Sequence, residues 1–332
     1  GPTVAFSWHG GEPTLLGLDY FRKIVALQRK HLPRGKTVFN GMQTNGVLLD
    51  EAWCRFLAAE KFGIGLSLDG PEALHDCYRR GAGGQPTHRR VLGAHDLMRH
   101  HGVSCDILCA VHDRNVRQPL DVYRHFREIG ARNISFLPVV VRARDAGNRV
   151  EPCTVPAEEY GSFLCAIFDA WTRQDVGRIS VQIFEEAIRP LQRLEHSLCI
   201  FRARCGDIPV VEHDGSLYSC DHFVEPAHRL GNIRETPLVR MLESPAQRAF
   251  GNAKRDALPG YCRRCEVLDM CNGGCPKDRF CETPDGESGL NYLCAGFKRF
   301  FTHCRPYFLR VLEASRAARA GEKEPGRNDP CP

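Results

Sequence analysis

Apolar residues early in this chain gather in short runs bounded by turn residues: VAFSW (4–8), TVFNGM (37–42), FGIGLSL (62–68), SCDILCAV (104–111) and NISFLPV (133–139). Their length and β-rich composition predict strands. Between them lie amphipathic stretches near 18–32, 50–60, 86–101 and 117–130. In the last, Leu120, Tyr123, Phe126 and Ile129 recur at helical spacing. A further helix is predicted over 156–175, with Pro156 at its start. Regular alternation of strand and helix predicts a parallel sheet with crossover helices. A doubly wound sheet and a barrel fit the pattern equally. The character changes near residue 199. VVEHDGSLYSC (210–220) is two short β runs around Asp214-Gly215, a hairpin signal. Short segments rich in turn residues follow, then a helical pattern over 290–318 and a polar end.

Composition narrows the class. The 332 residues are 42% hydrophobic and 26% charged, enough for one large domain or two smaller ones. A net charge of +5 without a basic run gives no sign of nucleic-acid binding. No apolar stretch reaches membrane-spanning length. Seventeen cysteines stand out, six in 1–198 and eleven in 199–332. The number is odd and the chain is too large to need disulfide staples, so metal binding or catalysis is the better reading.

The densest group is CRRCEVLDMCNGGCP (262–276), with the spacing C-x2-C-x5-C-x3-C-P. A zinc ribbon places its two cysteine pairs farther apart. In the bacterial ferredoxin run, the cysteine before the proline serves the other cluster. By that analogy Cys262, Cys265 and Cys271 hold one cluster and take a remote fourth ligand, Cys294. Cys275 crosses to a second cluster with Cys199, Cys205 and Cys220. Two structural zinc sites from the same eight residues are the alternative. Cys281 is a competing remote ligand, and Cys281 and Cys304 otherwise read as packing thiols.

Three strand ends carry polar, glycine-bearing loops: WHGGEP (8–13), QTNG (43–46) and SLDG (67–70). Gly10 and Gly11 allow close backbone approach to a ligand, and Glu12 can accept from an ammonium group. Each loop also reads as an ordinary turn. On successive parallel strands, however, all three face the side where α/β folds bind ligands.

GGEP, TNG, SLDGPEALHDCYRR and ISFLPVV, followed by C-x9-G-x4-C (205–220) and C-x2-C-x5-C-x3-C with a further cysteine, together resemble the radical SAM enzymes with a SPASM domain. The likeness covers about residues 3 to 305 and is greatest to the anaerobic sulfatase-maturating enzymes. It implies a partial (β/α)6 barrel, its first strand missing, over 1–175. A connecting segment (176–198) and a small cysteine-rich SPASM domain (199–312) with a β-hairpin and C-terminal helix would follow, then a polar tail (313–332). It implies S-adenosylmethionine, two auxiliary [4Fe–4S] clusters and a third cluster that binds the S-adenosylmethionine. It implies conversion of a cysteine or serine, in an unfolded sulfatase segment of the type Cys/Ser-x-Pro-x-Arg, to Cα-formylglycine. A low-potential electron donor and a cytoplasmic location go with that activity. A sister SPASM enzyme making thioether or carbon–carbon crosslinks in a ribosomal peptide is the alternative. So, outside enzymes, is an electron-transfer or zinc-stabilised module.

Carried onto this chain, Gly10, Gly11 and Glu12 meet the methionine end of the cofactor, with Asn45 nearby. Ser67 and Arg79 bind its carboxylate or ribose region, and Val139 or Val140 lines the adenine. For Arg79 the plain alternative is a surface charge beside Arg80. His9 faces substrate. Asp221, next to Cys220, is the base that takes the substrate's S–H or O–H proton. The family's C-x3-C-x2-C motif is absent from this chain. Cys105, Cys109 and His112 have similar spacing but fall on a later strand and read as core residues. The natural protein is therefore expected to begin several tens of residues earlier, and this polypeptide is not expected to cleave S-adenosylmethionine. GRNDPCP (326–332) resembles the opening of a small zinc-binding tail of which only Cys331 is present.

Overall fold

The computed structural model describes residues 2–143 and 149–321. The chain divides into two compact units. The first takes residues up to Arg142, Val150–Pro156 and Ala166–Ile183; the second takes 157–165 and the chain from Phe184 on. The sequence expectation kept everything up to 175 together.

The first unit is built on six parallel strands: β1 (Thr3–Trp8), β2 (Thr37–Thr44), β3 (Gly63–Ser67), β4 (Ser104–Val111), β5 (Asn133–Pro138) and β6 (Ser180–Val181). Their spatial order is their chain order, β1 to β6. A doubly wound sheet reverses direction at a switch point, and none occurs, so the barrel-type alternative holds. The crossovers include α1 (Leu18–His31), α2 (Glu51–Ala59), α3 (His88–His100) and α4 (Pro119–Glu128). Asp50 caps α2 by accepting from Trp53 N at 2.9 Å, and Pro119 opens α4, where its missing N–H costs nothing. The core comes from alternate strand positions such as Ile64, Leu66, Ile107, Cys109 and Val111, packed with helix residues such as Phe21, Leu57, Met98 and Phe126. On the other face of β3 a Cβ at Gly65 would stand 2.6 Å from Leu108 Cδ1, so a larger residue there would have to displace the Leu108 side chain. β6 was not expected. Ile179, Val181 and Ile183 do alternate, but only two residues pair before the helix Gln182–Ile188 begins.

In the second unit the expected hairpin is β7 (Val210–Val211) and β8 (Ser216–Tyr218), extended by β9 (Arg229–Asn232). α5 (Ala157–Gln174) starts in this unit, and α6 (Pro245–Asp256) and α7 (Cys294–Gly321) belong to it. Where α7 begins, it lies backbone to backbone on the start of α5. A Cβ at Gly161 would stand 2.6 Å from Gly296 O. Residues 157–165 go with the cysteine-rich unit because of this crossing. α7 runs on past 313 to Gly321, and Cys331 with the rest of the expected tail motif lies outside the described residues.

Candidate active site and metal centres

In the first unit the register brings the three glycine-bearing loops to one edge of the sheet: Trp8 pairs with Met42, Thr44 with Leu66, and Ser67 with Leu108. Gly10 has φ +130°, and a Cβ built on Gly10 or Gly11 would meet nothing within 4 Å. The backbone there is open to a ligand, as a close-approach loop requires. His9 is exposed beside it.

Glu12 ties two of the loops together. Its Oε1 accepts from Thr14 N (3.1 Å), Thr14 Oγ1 (2.7 Å) and Thr44 Oγ1 (2.7 Å), and its Oε2 from Asn45 N (2.8 Å). Oε2 keeps acceptor capacity for a further donor. Asn45 closes its own turn, Oδ1 accepting from Val47 N at 2.9 Å, so the turn reading of TNG also describes the molecule.

Arg79 is not a surface charge. Its Nε donates to Asp69 Oδ2 at 2.5 Å, with Asp69 2% exposed and the Arg79 side chain 27%. The other carboxylate oxygen, Asp69 Oδ1, accepts from Ala110 N at 2.8 Å and holds the third loop against β4. Asp69 was read only as a turn residue; its place as the partner of Arg79 went unseen. Ser67 ends β3 half-buried, and Val139 continues beyond β5, its N–H on Val111 O at 2.8 Å. Cys109 is fully buried, as a core thiol should be; Cys105 is only half-buried, and its thiol is pushed up to about 12, chiefly by burial.

The second unit gathers the cysteines. Cys262, Cys265, Cys271 and Cys294 line one cavity together with Tyr261 and Leu268. Burial pushes Cys271 up to about 12 and Cys294 up to about 11. Burial raises a thiol's pKa, and a metal bound to it favours the thiolate. The donor set fits a metal cluster. Cys281 lies outside the cavity lining, and Cys304 is a fully buried core thiol with its Sγ 3.6 Å from Phe301 O.

Cys205 is close enough to Cys199 and Cys275, and Cys275 to Cys220, for their charges to interact. Burial is again the main cause that raises Cys220 to about 12 and Cys275 to about 11. Cys220 Sγ donates to Asp221 Oδ1 at 3.2 Å, and His222 Nδ1 lies 3.7 Å from Cys275 Sγ and 3.8 Å from Asp221 Oδ1. The side chain of Asp221 is 34% exposed, so its carboxylate faces both the thiol and the outside. Every described cysteine is free of disulfides.

The loop between the two sets is three left-handed residues: Asn272 (φ 47°), Gly273 (φ 71°) and Gly274 (φ 62°). Glycine tolerates this region freely and asparagine better than most, so NGG is the sequence that allows so sharp a reversal. Cys271 lines the cavity with Cys262, Cys265 and Cys294, while Cys275, just past the reversal, is not among its lining residues. Three supporting residues were missed. Glu186, 1% exposed, accepts from His196 Nδ1 (2.9 Å), Ser197 N (3.0 Å), Ser197 Oγ and Leu198 N (3.1 Å), fixing the approach to Cys199. Burial alone would raise its pKa, but these hydrogen bonds outweigh it and hold the carboxyl below the usual range. Lys254, 2% exposed, donates to Cys199 O (2.7 Å) and Ile200 O (2.9 Å). Arg279 gathers the carbonyls of the NGG loop. Buried polar residues that serve a remote backbone carry no local signal.

A parallel sheet in chain order with glycine loops at one edge, together with a separate cysteine-rich unit, defines the class of radical SAM proteins with an additional iron–sulfur domain. Residues 1–126 match the radical SAM superfamily and residues 204–266 the SPASM iron–sulfur cluster-binding domain. A serine-type anaerobic sulfatase-maturating enzyme of Bacteroides thetaiotaomicron is 40% identical over 319 residues, 92% of this chain and 77% of that one. A cysteine-type enzyme of Clostridium perfringens is 32% identical, over 92% of this chain and 83% of that one. The solved structure of native anSMEcpe with bound AdoMet and Cp18Cys peptide superposes with a TM-score of 0.86 at 31% identity, covering 95% of this chain and 87% of that one. The chain belongs to the anaerobic sulfatase-maturating enzymes. As a radical SAM protein with a SPASM domain it uses S-adenosylmethionine and iron–sulfur clusters. Among the described residues no helix is long and apolar enough to cross a membrane.

Proposed function

We propose that this enzyme oxidises a cysteine or serine in a Cys/Ser-x-Pro-x-Arg segment of a sulfatase to Cα-formylglycine. Bound S-adenosylmethionine and its cluster supply the abstraction of a hydrogen atom from the substrate Cβ. The residues for holding that cofactor are Gly10, Gly11, Glu12, Asn45, Ser67, Arg79 and Val139. The open backbone at Gly10 and Gly11 supports this assignment, as does Arg79, whose terminal nitrogens remain for an acceptor once Nε is bound to Asp69. His9 is assigned to the substrate. Two auxiliary clusters take Cys262, Cys265, Cys271 and Cys294, and Cys199, Cys205, Cys220 and Cys275.

The observation that carries the reading is the 3.2 Å contact between Asp221 and the Cys220 thiol. Asp221 Oδ takes the S–H or O–H proton of the substrate, and a cluster held by Cys220 and its partners would supply the electron acceptor close by. Proton and electron acceptors then stand side by side. A low-potential donor supplies the electron that starts the reaction.

The test uses the full-length gene product, reconstituted anaerobically with S-adenosylmethionine, a chemical reductant and matched Cys- and Ser-containing peptides. A mass change to formylglycine, lost at least ~100-fold in Asp221→Asn with 5′-deoxyadenosine still formed, is the expected result. Deoxyadenosine with both peptides unchanged would reject the sulfatase-type substrate and favour the crosslinking alternative.

A further inference from the structure

Arg279 carries a half-buried charge without an obvious counter-ion. Its guanidinium cannot lose its proton, and all its hydrogen-bond partners in the structure are backbone carbonyls. Nε donates to Gly273 O (2.9 Å), one terminal nitrogen to Asn272 O (2.8 Å) and Gly274 O (3.3 Å), and the other to Lys254 O (2.6 Å). Its neighbour Asp278 pairs instead with Lys277 at 2.6 Å. Among the described residues no carboxylate pairs with Arg279. An inward cation without an anion is costly, and carbonyl dipoles only reduce the cost. The groups whose charges reach it are thiols: Cys262 and Cys271 of one set, Cys205 and Cys275 of the other. Asn272, Gly273 and Gly274 are the residues that part Cys271 from Cys275, so the fork sits at the junction of the two sets.

We propose that Arg279 is the shared counter-charge of the two auxiliary clusters, a positioning residue that raises the reduction potential of both. This rests on the assignment of the eight cysteines given above. Reduction adds one negative charge to a cluster. A fixed positive charge beside it stabilises the reduced state more than the oxidised one, and low dielectric strengthens the effect. Because the guanidinium faces both sets, it holds their potentials together rather than favouring one. For an electron that enters at the set containing Cys220 and leaves through the other, matched potentials keep the second transfer from becoming uphill.

The experiment compares wild type, Arg279→Gln and Arg279→Lys, each reconstituted anaerobically with iron and sulfide and titrated with dithionite while the reduced clusters are followed by electron paramagnetic resonance. Wild type must first bind about eight iron and eight sulfide per chain. If it does not, the ligand assignment fails, and that failure is separate from the present inference. With wild-type iron content, Arg279→Gln is expected to shift both midpoint potentials to more negative values, while Arg279→Lys, which keeps the charge, stays near wild type. Unmoved potentials in Arg279→Gln, a shift confined to one cluster, or a shift in Arg279→Lys equal to that of Arg279→Gln would each overturn the proposal. Should Arg279→Gln lose iron, Arg279→Lys decides. Full iron at wild-type potentials supports a role for charge. Iron loss in the lysine variant as well shows that the fork, not the charge, is what matters, and sinks the idea.

Discussion

Asp69 makes two bonds that no neighbour can replace: one to the Arg79 guanidinium and one to the Ala110 amide. Asp69→Asn keeps the size but removes the charge, leaving Arg79 uncompensated next to a 2% exposed site. Breaking a buried pair from one side costs several kcal/mol. Arg79 retains partial exposure, so a loss of roughly 2–3 kcal/mol is expected, read as a lower urea midpoint. A midpoint within error of wild type would show that water already screens the pair. The same residue illustrates what the sequence conceals. Cysteine spacing is legible because four thiols must reach one small object, and that fixes their separations along the chain. Asp69 in SLDG has the composition of any turn aspartate. Its roles depend on the β3–β4 register and on a partner ten residues away, neither of which leaves a local pattern. Glu186, Lys254 and Arg279 were missed for the same reason: each serves the backbone of a distant loop.

Elements were legible where their own periodicity forms them. The five long strands and the helices between them emerge within a few residues of expectation, because a buried run or an apolar stripe is a local property. β6 and β9 are two and four residues long and are made by their partners. The order of strands also comes from packing, which is why periodicity left two sheet architectures open. The crossing of α5 and α7 is another feature made by contact, and it ties an element to the site. Gly296 lies two residues after Cys294, a proposed ligand, with its Cα against Gly161 and no room for a methyl group on either side. The obstruction is backbone, which cannot swing away. Gly296→Ala is therefore expected to cost about 1–3 kcal/mol by overpacking. It should also displace the start of α7, so that bound iron falls from about eight to about four per chain. Unchanged iron content would show that the helix shifts as a whole without moving Cys294.

Across the whole molecule the acid response should be concentrated in the sheet unit, where five histidines are held neutral. His75 is fully buried and lowered to about 4, mainly by burial, and His88, His95, His112 and His125 are lowered for the same first cause. For His75 the geometry agrees. Its Nδ1 accepts from Asp69 N at 3.2 Å and its Nε2 faces Thr87 Oγ1 at 3.1 Å, so a second proton would cost a backbone hydrogen bond. A histidine whose folded pKa lies below its unfolded value stays neutral in the native state while the unfolded chain takes up protons. Its stabilising effect is complete above about pH 6.5 and declines as pH falls toward the folded value. Each such histidine adds about 1.4 kcal/mol per pH unit to the slope while only the unfolded form is protonated. The window from about 6.5 down to 5 lies above the ordinary carboxylate range, so acidic groups contribute little there. The three tryptophans, Trp8, Trp53 and Trp171, all belong to this unit, so their fluorescence reports directly on it. The urea midpoint by fluorescence should hold nearly level from pH 7.5 to about 6.5 and fall from there to 5, and His75→Gln should make that fall shallower. A midpoint that is flat or rises on acidification would mean that these imidazoles titrate freely in the folded protein.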